Sequence, residues 1–212
     1  MRGLLLNNLY SLQYNIRLSL GISLFLALIS FAGVEHSALN AIIAAQIMVF
    51  VVTIGASLQA DEASKWNRFE ITLPVRRRTV IHAKYLSFLL LILMGTAASL
   101  VTMAIIYVKG ADISGWSLSA GYTFGLSLSL SLLAIYYPVI LKFGIEKSEQ
   151  MLMVSIGLSL GLRFLVWMLL NQYMDDVNFN GPETGIASLI TAVLLFAASY
   201  LVAVRIQRNK EF

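Results

Sequence analysis

Hydrophobic residues along this chain fall into six blocks, each long enough to cross a bilayer as a helix, which takes ~20 residues. They run approximately Leu18–Val34, Ser37–Ala60, Tyr85–Val108, Trp116–Leu141, Met151–Leu170 and Thr184–Val204. Only Glu35 and His36 separate the first two, which predicts a tight helical hairpin. Ahead of the first block, Leu5, Leu9, Leu12 and Ile16 recur at helical spacing while Asn8, Ser11 and Asn15 take the other face. This pattern predicts a helix over residues 1–16 lying in the membrane interface. The alternative is a frayed start to the first span.

The polar stretches are unequal, and Asp61–Lys84 is the longest between blocks. It holds six basic residues (Lys65, Arg68, Arg76, Arg77, Arg78, Lys84) and three acids, Asp61, Glu62 and Glu70. Leu73-Pro74 breaks it, because the residue before proline is driven out of the α region. Two short helices are predicted there, in a loop where a soluble partner would dock.

Composition sharpens the class. Of 212 residues, 58% are hydrophobic and 12% charged, with a mean hydropathy of +0.80. A soluble surface needs far more charge. With no Gly/Ser/Pro-rich linker, residues 1–212 read as one all-α integral membrane domain. Residues 1–16 show no small-residue cleavage site, so no removable signal peptide is expected. The absence of cysteine excludes disulfides and thiolate metal sites.

Charge then sets orientation, since basic residues favour the cytoplasmic side. With the N-terminus inside, Arg2, Arg17, the six of the 61–84 loop, Lys142, Lys147, Arg205, Arg208 and Lys210 are internal. That is thirteen of the 15 basic residues, against Lys109 alone outside. Both termini and the 61–84 loop are therefore expected in the cytoplasm. Residues 171–183 become the longest external segment, able to form a small re-entrant or capping element. Arg76-Arg77-Arg78 beside a bilayer reads as an orientation signal or a lipid contact. No basic patch with interleaved aromatics points to nucleic acid.

Inside the membrane, span four carries Ser119, Thr123, Ser127 and Ser131 at every fourth position, beside Gly121, Gly125 and Ser129. Gly121 and Gly125 form one GxxxG, and Gly157 and Gly161 in span five form another. Such spacing lets helices approach closely, within one bundle or between subunits. Pro138 is expected to kink or end span four. Arg163 is the odd residue, about 18 Å into the bilayer counted from Met151. A charge at that depth faces protein or water. It could line a substrate cavity with Ser127 and Ser131, form a structural pair, or snorkel towards the acids expected outside, Glu35, Asp112, Asp175, Asp176 and Glu183.

Catalytic signatures are missing. His36 and His82 read as ordinary loop residues, with no His/Asp/Glu cluster at metal-ligand spacing. No GxSxG, HExxH or intramembrane acid pair occurs, which counts against a membrane protease or a carboxylate-relay transporter. Nor is there a phosphate-cradling GxxxxGK[ST] loop, so this chain is not expected to be an enzyme or to hydrolyse ATP itself.

One run of residues is familiar. Asp61-Glu62, Trp66-Asn67-Arg68-Phe69, Thr72-Leu73-Pro74-Val75-Arg76-Arg77 and Lys84-Tyr85-Leu86 resemble the signature loop of small bacterial ABC-2-type transporter permeases. There an acidic pair and a tryptophan precede a TLPVSR step and a KYL entry to the third helix; here Arg76 stands in place of the serine. The resemblance extends to the whole layout of interfacial helix, six spans and an outer elaboration before span six. It implies a half-transporter in a bacterial cytoplasmic membrane, paired with a second permease chain as a homo- or heterodimer. Separate ABC ATP-binding subunits would carry ATP and magnesium, leaving this chain without a cofactor. The 61–84 loop would then supply the coupling helices, with Asp61, Glu62, Trp66, Phe69 and Arg77 meeting the ATPase. Asp61 and Glu62 suit a helix N-terminus, Trp66 and Phe69 an apolar anchor, and Arg77 a partner acid or a lipid phosphate. In similar permeases the first and fifth spans make the dimer contact, which would give Gly157 and Gly161 that role. The cargo implied is an amphipathic peptide or toxin, an antimicrobial or a drug, leaving the cell. The competing reading is a non-transporting membrane scaffold or immunity protein that sequesters a peptide or recruits a soluble partner.

Overall fold

Six α-helices and no strand make up the described residues of the computed structural model, which are 2–31, 36–65, 77–108, 115–145, 147–174 and 177–209. The helices are α1 (Arg2–Phe31), α2 (His36–Ala63), α3 (Arg77–Val108), α4 (Gly115–Phe143), α5 (Ser148–Tyr173) and α6 (Pro182–Asn209). Every one is long and apolar enough to cross a membrane. The turn expected at Glu35 and most of the 61–84 loop, including Trp66 and Phe69, lie outside the described residues.

Three boundaries differ from the sequence reading. Residues 2–31 form one 30-residue helix, not an interfacial helix followed by a separate span. Nothing at Ile16-Arg17-Leu18 can break it: there is no proline, and Gly21 has open space around it. At 1.5 Å per residue α1 is ~45 Å long, well beyond a ~30 Å hydrocarbon core. Second, α4 runs through Pro138 to Phe143. It stops instead at Gly144, whose φ of +88° is the left-handed conformation that ends helices and favours glycine. Third, α3 begins at Arg77, so the last third of the expected loop is helix, and His82 is an exposed residue on it.

The bundle is built around α2 and α4, which bury more than half of their spans, whereas α1 and α5 bury less than a fifth. Helix α4 packs on α2, α5 and α6, while α2 also borders α1, α3 and α5. Where α2 meets its neighbours, glycine sets the distance. A Cβ on Gly95 of α3 would lie 2.9 Å from the Ile47 Cα. One on Gly125 of α4 would lie 3.0 Å from the Ala44 Cα, and one on Gly121 3.0 Å from the Asn40 Cα. The span-four GxxxG therefore packs inside the chain. Gly157 and Gly161 have nothing within 4 Å and face outwards. Lipid tails are as apolar as leucine, so such close van der Waals packing, rather than exclusion of water, holds membrane helices together.

Polar cross-links reinforce it. Gln46, in the middle of α2, donates to the Ser23 carbonyl of α1 (3.0 Å) and to Thr102 Oγ1 of α3 (2.8 Å). Near one end, Asn8 donates to Ser87 Oγ at 3.3 Å, and Ser11 shares a 3.2 Å hydrogen bond with Ser57. Those contacts bring the start of α1, the end of α2 and the start of α3 to the same end of the bundle.

Candidate functional site

At that end, helix α2 closes on Asp61 and Glu62. Asp61 is in the last turn, not at the helix N-terminus that the acidic pair suggested, so it sits against the negative end of the α2 dipole. Lys84 of α3 compensates: its Nζ forms a buried ion pair with Asp61 Oδ2. Beyond it, Lys65 takes φ +54°, which terminates the helix. A non-glycine residue holds that conformation at a cost of about 1 kcal/mol.

The sequence-named loop residues thus separate. Asp61 is buried and turned into the bundle, whereas Glu62 is exposed. Trp66 and Phe69 fall outside the described residues, and Arg77 opens α3. A third tie is Gln59, whose Nε2 donates to Ser148 Oγ at 2.6 Å, joining the end of α2 to the start of α5. The chain thus leaves α2 and enters α3 through two helix ends that are fastened to each other, and the end of α2 is also tied to α5. Gln59 carries no motif of its own, and Lys84, though it opens the KYL step, shows its pairing with Asp61 only in the fold.

Behind the entry to α3, Tyr85 is a hub. Its ring meets Phe88, Tyr137, Phe196 and Tyr200 with centroids 5.1–5.6 Å apart. Its hydroxyl shares a 2.7 Å hydrogen bond with Ser199. Helices α3, α4 and α6 are fixed to one another through this one side chain, a polar tip on a large apolar body.

The second candidate region surrounds Arg163, which is 2% exposed on α5. Its Nη1 donates to Ser127 Oγ of α4 at 3.3 Å, and its Nη2 donates to the Phe179 carbonyl at 3.3 Å. The guanidinium lies 4.6 Å from the Phe124 ring centre and 5.3 Å from that of Phe179. No carboxylate pairs with it among the described residues. One turn on, Trp167 Nε1 donates to the Val177 carbonyl at 2.9 Å. The segment after α5 is thus folded back onto its own helix, and the Asn178 carbonyl also accepts from Thr184 Oγ1 at 2.9 Å. This is a compact cap, with Arg163 and Trp167, four residues apart on one helix face, as its two fasteners.

Of the cavity residues named from sequence, Arg163 and Ser127 are brought together. Ser131 is not: its hydroxyl donates to Ser127 O (2.7 Å) and Leu128 O (3.1 Å) within α4. All three are buried inside one chain. The fully buried residues of α5 are Ser148, Ser155, Ser159 and Arg163, a polar stripe turned inwards, while Met151, Leu152 and Ile156 pack at its edge and most other apolar residues face out. Phe124, Phe179 and Trp167 carry no sequence signal, for aromatic residues are common in spans and nothing local marks these three. No group of residues that could hold a metal occurs among the described residues.

Comparison with curated proteins and with solved structures gives no match. The sequence profile of one family, described as "ABC-2 family transporter protein", does match, over residues 3–208. That range takes in all six helices but for Arg2 and Asn209 at the two ends, together with the residues between α2 and α3. A multi-pass bundle of this kind, covered almost end to end, belongs to the ABC-2 transporter family and is the permease of an ABC transporter, the membrane subunit whose partner is an ABC ATP-binding subunit.

Proposed function

We propose that the permease is an exporter half in a bacterial cytoplasmic membrane. Two permease chains pair, and ATP binding and hydrolysis in the separate subunits move them between inward- and outward-facing states. Amphipathic peptides or toxins, antimicrobials or drugs are the cargo class, a choice that rests on the resemblance to small bacterial permeases. The observation that carries the coupling role is the Asp61–Lys84 pair together with Gln59–Ser148. A loop rooted in fastened helix ends transmits force into α2, α3 and α5, where one on frayed ends would absorb it. Trp66 and Phe69 supply the apolar anchor for the ATPase. Asp61 acts in this scheme by positioning the loop, and Glu62, exposed, is the acid that meets the partner.

Two tests follow. Trp66→Ala and Glu62→Lys are expected to abolish export and weaken co-purification of the ATP-binding subunit while leaving expression unchanged. Normal binding and export by both variants would sink the coupling assignment. Persistence of the phenotype in cells lacking any ATP-binding partner would favour a scaffold or immunity role instead.

For pairing, the outward small-residue face of α5 is the proposed contact, with α1. A Gly157→Cys variant would carry the chain's sole cysteine, so a cross-linked dimer would report this face directly. Gly157→Leu should leave the fold intact and lower dimer yield. Gly125→Leu, by contrast, drives a side chain into the α2 backbone and should cost about 1–3 kcal/mol of stability. Equal behaviour of the two leucine variants would remove α5 from the interface.

A further inference from the structure

A cleft between the start of α3 and the end of α6 is lined by Arg78, Tyr200, Leu201, Val204, Arg205 and Arg208. Arg78 is separated from the other two arginines by more than 120 positions in sequence, so no local motif announces the cluster. All three are exposed. Among the described residues no carboxylate lines the cleft, and Asp61, the acid of the neighbouring helix end, is committed to Lys84. The lining is also layered. Arg205 and Arg208 stand near the end of α6, and Leu201 and Val204 lie on its membrane side. From Leu201 the exposed apolar residues Leu194, Ile190 and Ile186 continue along one face of α6.

We infer that this cleft binds the phosphate of an anionic lipid, with the three guanidinium groups on the headgroup and the acyl chains laid along α6. Three features argue for a lipid rather than a soluble anion or an acidic protein. The arginines lie at the end of a membrane-spanning helix, where headgroups are found. Guanidinium forks match phosphate oxygens in bidentate geometry. The apolar track continues without a break from the cleft down the α6 face, which a soluble anion has no use for. The inference does not depend on the cargo or on the coupling role of the loop. It extends the lipid contact suspected for the Arg76-Arg77-Arg78 run to a defined site, most of whose residues come from the opposite end of the chain.

The test is lipid retention by the purified full-length permease, read by native mass spectrometry after exchange into phosphatidylglycerol or phosphatidylcholine. Each arginine near an anionic headgroup is worth roughly fivefold in binding. Wild type should retain phosphatidylglycerol preferentially, and an Arg78→Gln/Arg205→Gln/Arg208→Gln variant should lose that preference by about 100-fold. The matching triple lysine variant, which keeps charge but not the fork, should retain part of it. Arg17→Gln, a charge removed elsewhere, should change nothing. Monodisperse elution and unchanged thermal unfolding would certify the fold of each variant. Equal retention by wild type and the glutamine variant overturns the proposal, as does an equal loss in Arg17→Gln, which would mean diffuse attraction only. Displacement of the lipid by millimolar inorganic phosphate would identify a soluble phosphate site and overturn the lipid assignment. Loss of ATP-binding subunit with lipid retention unchanged would assign the surface to that protein instead.

Discussion

Asp61→Ala is expected to destabilise the folded permease by about 3–5 kcal/mol, because it leaves the Lys84 ammonium buried without its counter-charge. Lys84→Met should do comparable damage from the other side. The informative variant is the double, Asp61→Leu with Lys84→Met. Taking two charges out of water is costly, and a well-packed apolar pair of similar volume replaces a buried ion pair at little loss. The double should therefore recover most of the stability lost in either single. Reversible unfolding in mixed detergent micelles measures all three against wild type, and the coupling energy comes from the cycle. Single variants within about 0.5 kcal/mol of wild type would mean the pair is hydrated and contributes little. Export gives the second readout. If the pair fixes the 64–76 loop for the ATPase, the double variant folds but exports poorly, because an apolar contact restores stability without restoring a directional tie. A double variant that exports at full rate would confine the pair to folding.

Arg163→Ala is the second large effect. It removes a buried side chain, leaves the Phe179 carbonyl without its donor and breaks two contacts to aromatic faces. Cavity formation and an unsatisfied carbonyl together should cost roughly 3–4 kcal/mol. Arg163→Leu refills most of the volume and removes a desolvated charge, so its global cost should be nearer 1–2 kcal/mol. Locally the two should agree. Hydrogen exchange across Val177–Gly181 should rise at least tenfold in both, since the cap loses its tie to Arg163 and leans on Trp167 and Thr184. Unchanged exchange there would show that Arg163 does not hold the cap. Transport separates structure from pathway: full export by Arg163→Leu at normal expression would remove the guanidinium from the cargo route.

Much of this architecture can be read from the hydropathy pattern, and the failures are instructive because they share a cause. Six spans follow from block length, since a helix that crosses hydrocarbon must be long and apolar whatever surrounds it. Arg163 stands out for the same reason. Neighbour identity, by contrast, leaves no mark on a single sequence. Gly121/Gly125 and Gly157/Gly161 have the same spacing, yet one pair is pressed on α2 and the other is open. The acid pair of Asp61 and Glu62 reads as a unit, and only the burial of Lys84, 23 positions away, turns one acid inwards and leaves the other out. Gln46 is a legible signal of another kind: an amide in mid-span needs partners, and it has them on both flanking helices. The unbroken α1 escaped because an amphipathic stripe and an apolar span differ in pattern, while a hinge between them needs a breaker that is not there.

That unbroken α1 has a mechanical consequence. A hinge at Ile16 would let the first turns rock at the membrane surface while the span stayed still. A continuous rod carries a displacement at Asn8 through to Ser23. It is pinned along its length at Ser87, Ser57 and Gln46. Strain applied at the loop end of α2 or α3 is therefore expected to pass along three helices tied to one another rather than to dissipate at a hinge.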